Sequence, residues 1–271
     1  MISGVYEDIR RGRVHLRVAP EARVWALTML EKYGTLYEAG GQESRPPQGD
    51  PLVGRGIIHL VESPEDAGGS QELWAIRHAY RGGLLATLLG DRYLRTPATY
   101  RPFREWEASL GLAALGFSTP PLQAVAVYPS GLIYRADVVT RFIPFGRELP
   151  KALSSLASQP ALQQKLLERV GGLIAVMGHK GVFHPDLNGK NLLVTGQAPH
   201  WELHLLDLDR TRLRGRRLMD GGRRMLRRLL RSLEKLGILA TEADGSPARD
   251  ALEQGFRDGA RKPKTPFPSQ G

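Results

Sequence analysis

Cysteine is absent from the 271 residues, which excludes disulfides and thiolate metal sites. Asparagine is almost as scarce: the chain has two, Asn188 and Asn191, three positions apart. No apolar run approaches the ~20 residues that a membrane-crossing helix needs. The stretch Met1 to Pro20 carries charge early and has no apolar segment, so it does not read as a secretory leader, and the compartment expected is the cytoplasm. Acid is short relative to base, 28 Asp and Glu against 38 Lys and Arg, for a net charge of +10. Such a balance predicts an anionic partner: nucleic acid, a phosphorylated substrate or an acidic membrane surface. The excess is concentrated. Arg210, Arg212, Arg214, Arg216, Arg217, Arg223, Arg224, Arg227, Arg228 and Arg231 face one acid in that interval, Asp220.

With 41% hydrophobic residues there is material for a real core, in one large domain or two packed lobes. Residues 20 to 39 read as one amphipathic helix. Strands are expected at 56 to 61 and 73 to 77, then a helix from Pro102 to about Leu115, closed by Gly116. Two more strands, 123 to 128 and 132 to 139, flank the turn Pro129-Ser130-Gly131. From Pro150 the pattern turns helical. One helix runs from Pro160 to Met177, another from Gly222 to Leu236 with leucines on one face and arginines on the other, and a strand pair at 191 to 195 and 201 to 206 lies between them. Strands first and helices later make an α+β plan, a sheet lobe followed by a helical lobe with the active site in the cleft between. The expected organisation is an N-terminal helical extension over 1–45, a sheet-rich lobe over 46–141, a helical lobe over 142–240, and a polar tail over 241–271 with a disordered end.

Both asparagines fall in His184-Pro185-Asp186-Leu187-Asn188-Gly189-Lys190-Asn191, and the apolar run that follows ends in Asp207. The spacing H-x-D-x4-N, then an Asp closing a buried strand, is the layout of a phosphoryl-transfer catalytic loop and its metal strand. Each residue type has a task there. Asp186 accepts the proton of an attacking hydroxyl, and Asn191 and Asp207 hold Mg²⁺ against the phosphates of ATP. A turn with an Asx cap between two strands uses the same residues without chemistry. His184 is expected to support the loop, and Asp209 to cap the following turn. Lys190 either reaches the transferring phosphoryl group or is a solvated loop residue. Leu73-Trp74-Ala75-Ile76-Arg77 resembles the strand that carries a phosphate-binding lysine, with arginine in its place, and Glu105 on the next helix is its natural partner. Gly54-Arg55-Gly56 is the one glycine-bearing turn placed to cover phosphates, and it lacks the full G-x-G-x-x-G.

Around this loop the chain resembles the 3-deoxy-D-manno-octulosonic acid (Kdo) kinases, within the lipopolysaccharide kinase family of protein-kinase-like folds. The likeness is carried by Arg77-His78-Ala79-Tyr80-Arg81-Gly82-Gly83, Asp91-Arg92-Tyr93, Arg101-Pro102-Phe103-Arg104-Glu105-Trp106 and Tyr134-Arg135-Ala136-Asp137. It continues in the catalytic loop through Leu193, in Leu206-Asp207-Leu208-Asp209-Arg210 and in Leu229-Leu230-Arg231-Ser232-Leu233, spanning roughly residues 54 to 237. Leu208 stands where such kinases usually have an aromatic residue, and Lys190 is an unusual neighbour for the metal asparagine.

The resemblance implies a two-lobed protein-kinase-like fold and transfer of the γ-phosphate of ATP, with Mg²⁺, to the 4-hydroxyl of Kdo on Kdo-lipid A. The enzyme would work peripherally at the cytoplasmic face of a bacterial inner membrane. By motif position it assigns roles to Arg77, Glu105, Asp186, Asn191 and Asp207. The basic stripe would then face an anionic leaflet or the charged headgroup, to which Arg81 is also suited. A kinase for another core sugar such as heptose, or for a small metabolite, is the sibling reading. A basic binding or scaffolding protein on an inactive kinase fold is the reading from another class. The retained Asp186, Asn191 and Asp207 argue against the latter, and no aromatic residues interleave the stripe as single-strand binders require, so no nucleic acid is expected.

Overall fold

A computed structural model describes residues 6–44, 57–64, 72–79, 93–94, 100–214, 219–239 and 246–261. The chain divides into two compact units, Met1–Arg104 with Pro120–Phe142, and Glu105–Thr119 with Ile143–Gly271. Gly54, Gly56 and Arg81 lie outside the described residues.

The first unit is a seven-stranded antiparallel sheet. Its strands are β1 (Glu7–Arg11), β2 (Val14–Val18), β3 (Ile58–Glu62), β4 (Leu73–His78), β5 (Tyr93–Leu94), β6 (Leu122–Ser130) and β7 (Ile133–Arg141). They lie in the order β1-β2-β6-β7-β4-β3, with β5 also on β7. The β6–β7 hairpin turns at Gly131, as its Pro-Ser-Gly sequence predicts. Where a helical extension is expected over 1–45, the described residues 6–44 instead belong to the sheet unit. β1 and β2 form a hairpin that continues the sheet, Leu16 pairing with Ala126 and Val18 with Ala124. Val14-His15-Leu16-Arg17-Val18 alternates apolar and basic residues, which is a strand period masked by its charge.

Nor do residues 20 to 39 form one helix. They make a 3₁₀ turn (Pro20–Ala22), α1 (Arg23–Tyr33) and the start of α2 (Leu36–Glu43). Gly34 breaks the run at φ +80°, a conformation that costs glycine little, while its N–H still bonds the Leu30 carbonyl at 3.1 Å. Thr35 then starts α2 by accepting the Glu38 N–H on its hydroxyl at 3.1 Å. Ala26, Leu30 and Leu36 bury against Leu16, Trp74, Ile76 and Val139, so the two helices cover one face of the sheet.

On that covered face lies a carboxylate with no exposure, Asp137. Its Oδ1 is 2.6 Å from His78 Nδ1, and its Oδ2 accepts the Tyr128 hydroxyl at 2.8 Å and the Tyr37 N–H at 2.9 Å. The Leu36 N–H donates to the Tyr128 oxygen at 2.9 Å. Two of the otherwise orphaned donors at the start of α2 are thereby satisfied, beside a negative charge that suits the positive end of the helix. Burial, then the nearby Asp137 charge, pushes the Tyr128 hydroxyl well above its ordinary pKa.

The second unit is mainly helical. It holds α3 (Arg101–Ala114) from Glu105 onward, β8 (Arg147–Glu148), α4 (Leu149–Ser155), α5 (Pro160–His179) and β9 (Val182–Phe183). It continues with β10 (Leu192–Thr195), β11 (Glu202–Leu205), β12 (Arg212–Leu213), α6 (Met219–Lys235) and α7 (Pro247–Arg261). β10 pairs with β11 and β8, and β12 with β9, all antiparallel. The core joins Leu166, Leu167, Val170 and Ile174 of α5 to Leu229 and Leu233 of α6.

The expected tail is another correction, because 247–261 is helical and Leu252 and Phe256 are core residues. Ala248, Ala251, Leu252, Gly255 and Phe256 form a stripe at helical spacing whose small members hid its apolar face. Small size is what the contact needs. A Cβ at Gly171 would run into the Leu252 carbonyl, and one at Gly255 into the Glu168 carbonyl, so the backbones of α5 and α7 meet at these glycines. Residues 262–271 lie outside the described residues.

Candidate active site

After α5 the chain passes through β9 into His184. This imidazole is fully buried, and its Nε2 lies 2.9 Å from the Leu206 carbonyl. A carbonyl can only accept, so Nε2 carries the proton. Burial lowers the His184 pKa despite that bond and the nearby acids, keeping the ring neutral, with no partner at Nδ1 among the described residues. Its backbone N–H points at Met225 Sδ, 3.2 Å away on α6. His184 is therefore a post that fixes the loop, as expected, and not a proton carrier.

The loop is closed by its two asparagines. Asn188 Nδ2 and Asn191 Nδ2 both donate to the Asp186 carbonyl, at 2.9 and 3.0 Å. Asn188 Oδ1 accepts the Lys190 N–H at 2.9 Å and so caps the 3₁₀ turn Gly189–Asn191. Helix α6 holds the turn from below, its Ser232 hydroxyl accepting the Gly189 N–H at 3.2 Å and Leu233 packing on Gly189.

The strand that leads to Asp207 is tied to the same loop. Leu206 donates its N–H to the Asn191 carbonyl at 3.0 Å while its own carbonyl meets His184, and Leu205 N–H bonds Ser118 at 2.9 Å. Asp207 follows in the left-handed region at φ +59°, sparsely populated by non-glycine residues, and its carboxylate is exposed. It accepts no hydrogen bond among the described residues. With Asn191 Nδ2 committed to Asp186, its Oδ1 remains as an acceptor. Two oxygen donors of this kind fit a hard cation such as Mg²⁺, which takes few protein ligands and completes its shell with phosphate and water. Among the described residues no three His, Asp or Glu side chains are grouped to hold a metal alone.

What holds Asp186 itself belongs to no motif in the sequence. Arg210 Nη1 donates to Oδ2 at 2.8 Å and Arg228 Nη2 to Oδ1 at 2.9 Å. The Asp186 side chain is 25% exposed, and those of Arg210 and Arg228 are 57% and 45% exposed. A signal was present: Arg228 stands one helical turn before Ser232, which bonds Gly189, so both lie on the face of α6 turned to the loop. Lys190 is exposed, with no side-chain partner among the described residues. Arg77 lies in the first unit on β4, paired with Ile58 and Val138, on the face opposite Trp74 and Ile76. Glu105 is buried on α3 in the second unit.

A family model described as the lipopolysaccharide kinase (Kdo/WaaP) family matches residues 61–248. The chain belongs to this family. A 3-deoxy-D-manno-octulosonic acid kinase of Haemophilus influenzae is 30% identical over 209 residues, covering 74% of this chain and 83% of that one. One of Vibrio parahaemolyticus is 35% identical over 162 residues, covering 59% of this chain. The match spans 64% of that relative's length. Among solved structures, WaaP in complex with acyl carrier protein has a TM-score of 0.52 at 18% identity, covering 88% of this chain and 86% of that one. That likeness concerns the fold alone, and with it the protein-kinase-like α+β class expected for a lipopolysaccharide kinase holds.

Proposed function

We propose that this lipopolysaccharide kinase is an ATP-dependent enzyme that transfers the γ-phosphate to the 4-hydroxyl of Kdo in Kdo-lipid A. The observation that carries the reading is the loop in which both asparagines fasten the Asp186 carbonyl while Leu206 ties the Asp207 strand to His184 and Asn191. Phosphoryl transfer has little covalent chemistry for a protein to do, so positioning and charge carry the catalysis. Asp186 orients the sugar hydroxyl and takes its proton as the oxygen attacks phosphorus. Magnesium, held by Asn191 Oδ1 and the Asp207 carboxylate, would supply neutralisation of the nucleotide phosphates. Arg77, steadied by Glu105, binds the α- and β-phosphates through its planar fork. Gly54 and Gly56 are assigned to them by sequence alone, and Lys190 adds a cation near the transferring group.

The outward arginines of α6 suit a peripheral position at the cytoplasmic face of the inner membrane, each basic residue near an anionic leaflet adding about 1 kcal/mol. Among the described residues no helix is long and apolar enough to cross a membrane. Flotation with anionic liposomes should weaken as salt rises, and equal binding to neutral vesicles would refute the electrostatic account.

Labelled ATP with Mg²⁺ and Kdo-lipid A, run beside heptosylated acceptors, tests the acceptor. Label on the Kdo 4-oxygen is the expected product, and label on heptose alone would reject it in favour of another core sugar. Absence of transfer to any alcohol would favour a binding protein on an inactive kinase fold.

A further inference from the structure

Beside the loop, Phe183, His184, Pro185 and Met225 line a cavity of about 350 Å³ together with Arg224, Arg227, Arg228 and Arg231. The four arginines stand at i, i+3, i+4 and i+7 of α6, one face of the helix. Like charges at that spacing repel, so the face is costly unless something negative sits on it. Arg228 is answered by Asp186, and Arg224 lies over the Phe183 ring at 5.1 Å. Arg231 gives its Nε to the Arg227 carbonyl, and neither Arg227 nor Arg231 meets a carboxylate among the described residues. His184, buried and held neutral, adds no charge. All four arginines are exposed, so the hollow they border is open to solvent, with an aromatic, a proline and a methionine in its wall.

We propose that this cavity is the subsite for an anionic oxygen-acid group of the acceptor, a carboxylate or a phosphate, and that Arg228 is shared between that group and Asp186. The inference rests on the kinase reading above. Guanidinium forks match either anion with two parallel hydrogen bonds, and the volume suits such a group together with part of a sugar. The shared arginine has a consequence for the reaction. In the resting state each oxygen of Asp186 accepts one arginine hydrogen bond, so an acceptor hydroxyl must share its oxygen with a guanidinium group. Exposed ion pairs of this kind are worth only about 0–1 kcal/mol, so an arriving anion can draw Arg228 away. Oδ1 is then released where the acceptor alcohol has just been delivered.

Steady-state kinetics of the full chain test this with Arg227→Gln and Arg231→Gln. Each variant should raise KM for Kdo-lipid A about ten-fold, the factor that one lost charged contact of ~1.4 kcal/mol gives, with KM for ATP unchanged. Methyl-esterified and dephosphorylated acceptors separate the two sources of charge. The derivative lacking the recognised anion should bind poorly to the wild type and lose its sensitivity to both variants. Unchanged acceptor KM in the variants, or equal losses for ATP and acceptor, would overturn the subsite.

If the wild type turns over no sugar acceptor, the kinase reading fails, yet inorganic phosphate still tests the cavity by calorimetry. Binding weakened about ten-fold in Arg227→Gln/Arg231→Gln supports it, and unchanged or absent binding to the wild type rejects it. For the shared role, Arg228→Gln should raise ATP hydrolysis several-fold without acceptor. Water then forms the new bond to the γ-phosphorus as the bond to the bridging oxygen breaks, and its proton passes to Asp186, giving ADP and phosphate. Unaltered hydrolysis would leave Arg228 no part in holding Asp186.

Discussion

Two carboxylates, one in each unit, are both wrapped by donors, and the wrapping differs in kind. Asp137 has no exposure and is held by an imidazole, a phenol and a backbone N–H. Asp186 is a quarter exposed and is held by two guanidinium groups on long side chains that are themselves about half exposed. A buried carboxylate must keep every partner, because taking its charge out of water is costly and nothing else can replace the lost bonds. An exposed one can exchange partners at little cost, because water and other anions compete. The first arrangement fastens a helix to a sheet, and the second leaves an acid whose partners can change.

The largest expected effect falls on the second carboxylate. Asp186→Ala should reduce transfer by about 10²–10⁴-fold, the usual contribution of a general base, while ATP binding and melting temperature stay near wild type. Retained turnover would remove Asp186 as the base. Asp137→Ala should do the opposite, costing about 3–5 kcal/mol of stability, as expected when one partner of a buried charged network is removed. Thermal denaturation reads that loss directly. A variant that melted normally and lost only activity would erase the distinction between the two acids.

A smaller loss is expected at the α5–α7 contact, away from both carboxylates. Gly255→Ala forces a methyl group against the Glu168 carbonyl and should cost about 1–3 kcal/mol in a chemical denaturation midpoint. No change would mean that α7 can shift from α5 to admit a methyl group at little cost.

The smallest effect is that of pH. The His184 pKa is lowered in the folded state by burial, so the unfolded chain binds the extra proton first as pH falls below about 6.5. Its contribution is complete above that value and is lost on acidification, so melting temperature should decline from pH 7 to pH 5. His184→Gln should make the decline shallower. An identical slope would assign the acid sensitivity to His59 and His204, whose pKa values burial also lowers.

Local signals in the sequence carried far, and tertiary ones did not. The β6–β7 hairpin, α5 and α6 announce themselves through turn residues and helical spacing, and the loop from His184 to Asn191 through residue types that few other structures need in that order. The β1–β2 hairpin was hidden because its alternation is written in arginine and histidine, and its place beside β6 is a pairing across a hundred residues. The stripe of α7 was hidden because glycine and alanine contribute contact by being small. Arg210 and Arg228 looked like part of a uniform basic stretch. Only folding shows that two of those arginines, 18 positions apart, close on one aspartate.

Asn188-Gly189 is also the dipeptide in which asparagine ages fastest, through attack of the following main-chain nitrogen on the side-chain carbonyl to form a succinimide. Here that nitrogen is engaged by Ser232 and the carbonyl oxygen by the Lys190 N–H. Helix α6 thus shields the loop from spontaneous deamidation for as long as it stays in place, and partial unfolding would expose the enzyme to irreversible chemical damage at the turn beside Asp186.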